Sequence, residues 1–185
     1  TRIAFIAPYK GQGSTLYHVG IGEEAVPKAI FRVEGKPERL SRCDWVSKER
    51  LACRVYGVVD DGKEIVPFSR IIALNIDGSN PKLVSKRDNA ATYGRVFYGG
   101  GVIDWLPDQS GEGEVMMQRY QLPDDRIGSL VGSREEGLTV ERINTGTLKT
   151  ALVERPDPNA VDFITDGRGN VRIRSVSPRR GDGYN

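Results

Sequence analysis

A chain of 185 residues is long enough for one domain with a sizeable core. Its net charge of +2, with Lys and Arg interleaved among Asp and Glu, is too small to point to a nucleic-acid partner. Twenty-two glycines and ten prolines predict many turns and little helix. No apolar run approaches the ~18 residues of a membrane span, so the reading is a soluble, all-β chain with no membrane span.

In chain order the first element is "TRIAFIA" (1–7), a strand-like run with neither an initiator Met nor a signal peptide before it. A start inside such a run leads us to expect a preceding segment. "LYHVGIGEEAVPKAIF" (16–31) follows as two runs about Gly22, with the only histidine, His18, inside the first. Its "GIGEEA" fits the loose dinucleotide form G-x-G-x-x-A, but Pro27 comes at once and no βαβ unit does, so we read a hairpin turn.

"CDWVSKERLACRVY" (43–56) reads as a hairpin about Lys48 in which paired positions sum to 96. Cys43 then faces Cys53, and Trp45 faces Leu51, on one side of the ribbon, while Asp44 and Ala52 share the other. Directly opposed residues lie within disulfide reach, and we expect a Cys43–Cys53 bond. The competing reading is two reduced cysteines serving as small apolar side chains. A disulfide implies an oxidising compartment, periplasmic or secreted, with a cytoplasmic location left open. Zinc lacks ligands, since two Cys and the distant His18 are too few, and we expect no metal.

"IIALNIDGSNPKLVS" (71–85) and "LTVERINTGTLKTALV" (138–153) are strand–turn–strand units aligned through their Asp-Gly and Thr-Gly turns, where Gly accepts the positive φ of a tight hairpin. Between them "IDWLPDQSGEGEVMMQRY" (103–120) repeats the Asp-aromatic figure, and "VDFITDGRGNVRIRSV" (161–176) gives it again. Asp44-Trp45, Asp104-Trp105 and Asp162-Phe163 thus recur at intervals of 60 and 58 residues. Repetition at one place in each unit favours a structural carboxylate, bonded to turn or neighbouring-strand amides, over a catalytic one. "GSLVGSREEG" (128–137) has room for a helical turn or two, and residues 177–185 read as a flexible tail containing Arg180-Gly181-Asp182.

Two hairpins per unit make four strands, the composition of a propeller blade. We therefore expect residues 1–176 to form about three four-stranded antiparallel blades of a β-propeller fragment, the first and last incomplete. A β-sandwich with similar hairpins is the alternative. Catalytic signatures are missing: there is no G-x-S-x-G, no P-loop and no EF-hand, and a Ser-His-Asp triad would have to rest on His18 within a strand. No cofactor is implied.

"TRIAFIAP", "CDWVSKERLAC", "IIALNIDGSNPKLV", "VIDWLP" and "TDGRGNVRIR" together resemble the N-terminal propeller of bacterial prolyl oligopeptidase-family serine peptidases, over most of the chain. The strand–turn phrases are shared with TolB-like propellers, and the Cys-flanked hairpin and "TDGRGNVRIR" narrow the likeness. The resemblance implies a propeller preceding an α/β-hydrolase domain, where it covers the active site and filters peptide substrates by size. The family's Ser-Asp-His triad lies in that hydrolase domain, and no position here matches it. In one branch a propeller Glu pair binds the substrate's free amine; Glu135-Glu136 is the candidate pair here, although "GSREEGL" departs from the family's surroundings. Rings close with at least four blades, so about three blades leave open edges and imply self-association. The alternative is a free-standing TolB-like propeller that binds a protein or ligand.

Overall fold

The computed structural model describes residues 1–22, 25–60, 62–85, 99–106, 112–123 and 135–177. They form thirteen strands in four antiparallel sheets, with no helix among the described residues. The first sheet holds β1 (Arg2–Tyr9), β2 (Gly13–Gly20) and β3 (Lys28–Val33). The second holds β4 (Arg39–Trp45), β5 (Arg50–Asp60), β6 (Ile65–Asn75) and β7 (Lys82–Leu83). The third holds β8 (Gly101–Leu106), β9 (Glu114–Gln121), β10 (Gly137–Asn144) and β11 (Thr150–Asp157), and the fourth β12 (Ala160–Thr165) and β13 (Val171–Val176). In every sheet the strands lie side by side in chain order.

Each sheet covers the next. Leu16, Val33, Ala4 and Ile6 of the first sheet share a cluster with Leu51, Cys53 and Leu74 of the second. Ala52 and Ala73, one residue along from Leu51 and Leu74, point the other way and meet Val115, Met117 and Ile143 of the third. Met116, between Val115 and Met117, turns from that cluster to join Phe163 and Ala160 of the fourth. Strict alternation along a strand thus buries both faces of the two middle sheets, which explains why "RLAC" and "EVMM" carry small or apolar residues at successive positions.

The expected hairpins form, with Cys43 opposite Cys53, Asp44 opposite Ala52 and Trp45 opposite Leu51. The sheets hold three, four, four and two strands in chain order, and the run "TRIAFIA" supplies β1 of the first, paired with β2. Val171 packs on the Phe163 cluster, paired opposite Thr165 by a register shift between Ile164 and Thr165. Ser177 donates its amide to the Asn159 carbonyl at 2.8 Å. The suspected helical turns at 128–134 and the Arg180-Gly181-Asp182 tripeptide lie outside the described residues. No helix of the described residues is long and apolar enough to cross a membrane.

Candidate functional site

The repeated Asp-aromatic pair spans the gap between sheets. Its aromatic faces the preceding sheet: Trp45 packs in the cluster with the first sheet, Trp105 in that with the second, and Phe163 in that with the third. By alternation the Asp then faces the following sheet. Asp104 is buried and its Oδ2 accepts the Gly169 amide, in the β12–β13 turn, at 2.8 Å. Thr165 donates its hydroxyl back to the Ile103 carbonyl, and the Phe163 amide donates to Gln118. Asp44 takes a different partner. Arg42 grips it with two donors at 2.6 and 2.8 Å, which raises the guanidinium pKa through hydrogen bonding and charge. The same guanidinium lies 5.9 Å from the centre of the Trp105 ring, so Asp44 reaches the third sheet through Arg42. Asp162 is exposed, on the outward face of the fourth sheet.

At the turn end of the second and third sheets lies a cleft of about 490 Å³, lined by Glu49, Arg50, Asn75, Asp77, Asn80 and Glu112 among others. Arg50 closes its floor. Although 1% exposed, its side chain ends in a guanidinium with acceptors at all three nitrogens. Nε donates to the Thr145 hydroxyl and Nη1 to the Asn75 side chain, while Nη2 reaches the Ala73, Asn80 and Thr145 carbonyls. Those acceptors come from the end of β6 and the β6–β7 turn of one sheet and from the β10–β11 turn of the next. Burial pushes the guanidinium pKa down, and the charge of Glu112 opposes that shift. A planar cation holding neutral acceptors on two turns is a clasp between sheets.

A second cleft, of about 410 Å³, opens between β7 and the β10–β11 turn. Arg119 borders it, pairing with Glu141 at 2.7 Å and donating to the Val84 carbonyl across the sheet gap. Its Nε is buried without a hydrogen-bond partner, and burial pushes its pKa down against the opposing effect of Glu141.

The structure brings Cys43 and Cys53 into a disulfide, with Cα atoms 4.0 Å apart, inside the cluster between the first two sheets. Glu135 and Glu136 are both exposed at the entry to β10, at the opposite end of that strand from the Arg50 cleft. Glu136 accepts from the Tyr120 hydroxyl at 3.1 Å. His18 sits on β2 opposite Ala4, its Nδ1 buried without a partner. Among the described residues no three His, Cys, Asp or Glu side chains gather as metal ligands would.

Sequence reasoning missed Arg50 and Arg119. In "SKERLAC" Arg50 looks like one more charged turn residue, and only an inward position at the start of β5 distinguishes it. Comparison of the chain with protein-family models, with curated proteins and with solved structures gives no match.

Proposed function

We propose that this chain is the non-catalytic, substrate-gating propeller portion of a prolyl oligopeptidase-like serine peptidase whose catalytic α/β-hydrolase domain lies outside these 185 residues. The observation that carries the reading is the succession of meander sheets, each laid face to face on the next through an equivalent layer of apolar residues. Sheets stacked in chain order, with β4, β8 and β12 each at the same edge, are what blades around an axis require. The open edges of those three strands would line that axis. In this role the chain supplies no nucleophile. It restricts, by the width of the ring, which peptides reach the hydrolase domain, and Glu135-Glu136 are its candidate contacts for a substrate amine.

The test is a peptide-length series on the protein that carries this chain together with its hydrolase domain. Short peptides should be cleaved and long or folded polypeptides spared, while the 185-residue chain alone cleaves neither. Equal kcat/KM for a tetrapeptide and an unfolded protein would remove the gating role. A reading frame that continues without G-x-S-x-G would remove the peptidase.

A further inference from the structure

The cleft of about 410 Å³ between β7 and the β10–β11 turn is a cavity that the gating role leaves unused. Its floor is nearly dry, with Val84, Ser85 and Ile143 only 3%, 2% and 1% exposed. Ile143 pairs opposite Thr150, so both side chains stand on the face of the third sheet that meets the second. Arg119 stands on that face too, two positions along β9 from Met117. It is 8% exposed, and Glu141 and the Val84 carbonyl accept from its two terminal nitrogens. Its Nε donor has no partner. Buried donors are seldom left unmatched, and one that borders an apolar cleft marks where a ligand's acceptor fits.

Leu148 supplies a second, independent sign. It stands at the rim with φ +62° and is 38% exposed. An L side chain is strained in that region, and the β6–β7 turn fills its own positive-φ places with Gly78 and Asn80. A branched apolar residue kept there is strain that the turn itself does not require, and such strain gathers where ligands are held.

We propose that this cleft binds an uncharged ligand with a branched apolar body and a carbonyl oxygen, of the size of a capped leucine. The apolar body lies between Ile143 and Leu148, and the oxygen accepts from the Arg119 Nε. A carboxylate suits the cleft less. Glu141 at 2.7 Å already neutralises the guanidinium, and a second anion would lie unpaired among apolar walls. No hydrolase domain enters this site, so its test stands apart from the peptidase reading.

N-acetyl-leucinamide and N-acetylleucine share that body and differ in charge, and each is titrated into the 185-residue chain. Proton–nitrogen correlation spectra follow the Ile143, Leu148 and Thr150 amides and, directly, the Arg119 Nε–H. The leucinamide should give saturable shifts at all of them, and the acid should bind about tenfold more weakly or worse. Leu148→Gly should weaken the leucinamide several-fold while leaving the melting temperature unchanged or higher, since glycine accepts this φ freely. Opposite signs of that kind separate a ligand wall from a structural one. Thr150→Trp, at the exposed rim, should close the cleft and abolish binding with Arg119 untouched. No saturable shift with the leucinamide up to its solubility limit overturns the proposal. So does an acid that binds as tightly, a Leu148→Gly or Thr150→Trp variant that binds as the wild type does, or an Nε–H signal that stays still while the amides move.

Discussion

Among the described residues Arg50 is the largest fully buried side chain, and it is charged. Its cost of desolvation is offset only because the end of β6, the β6–β7 turn and the β10–β11 turn of the next sheet present five acceptors to one rigid fork. Arg50→Met should therefore lower unfolding stability by about 2 to 4 kcal/mol, as buried acceptors on both turns lose their donor. Arg50→Lys should recover little of it, because an ammonium cannot span the same acceptors. Urea unfolding of both variants checks this, and a lysine variant as stable as wild type would show that charge alone suffices. Asp166 gives a pH-dependent counterpart. The Asn170 side chain, the Arg168 and Asn170 amides and the Arg172 guanidinium all donate to its carboxylate, holding its pKa below the usual range. A depressed folded-state pKa stabilises the fold above the unfolded value and loses that contribution as pH falls below about 4. Asp166→Asn should accordingly flatten the acid side of the stability profile and leave its neutral and alkaline side parallel to wild type, measured by thermal melts across pH.

At the scale of the element, the β4–β5 hairpin is closed twice, by its ladder and by Cys43–Cys53. In the chain-entropy account, cross-linking so short a loop restricts the unfolded chain and contributes roughly 2 to 3 kcal/mol. Reducing the protein, or replacing both cysteines by serine, should lower the melting temperature without changing strand content. Unchanged melting under reductant would show that the Leu51, Leu74 and Leu16 cluster holds the hairpin unaided. The entry to β10 depends on glycine for a steric reason. Gly137 adopts φ +134°, and a Cβ there would stand 2.2 Å from the Asp157 carbonyl carbon on β11. Gly137→Ala must displace one strand or the other, and it should destabilise by at least about 2 kcal/mol. A melt within a degree of wild type would contradict that placement.

Over the whole molecule, protection should follow depth in the stack. β5 and β9 are central strands of sheets covered on both faces, with Leu51, Ala52, Cys53, Val115, Met116 and Met117 all fully buried. β13 pairs on one side only and exposes Ile173 and Val176. Hydrogen exchange should therefore run slowest in β5 and β9 and fastest in β12–β13, since local opening costs least where fewest buried contacts break. Equal protection throughout would mean that the fourth sheet is covered in solution.

The sequence alone determined several of the hairpins, the register of β4 against β5 and the all-β class. Those depend on turn residues and on period-two alternation, both local, and the spacing of Cys43 from Cys53 about Lys48 is enough to place them face to face. Of the recurring Asp44, Asp104 and Asp162, only Asp104 bonds an amide of the neighbouring sheet. What the sequence left unread is where each carboxylate and guanidinium goes. Asp104 meets a glycine amide 65 residues away, Asp44 is taken by Arg42 two residues away, and Asp162 is exposed. Arg50 reaches Thr145 across 95 residues. Such partners are set by how whole sheets stack, and stacking depends on nonlocal burial, which leaves no period in the chain. For that reason only the tertiary structure separates a charged turn residue from the clasp that joins two sheets.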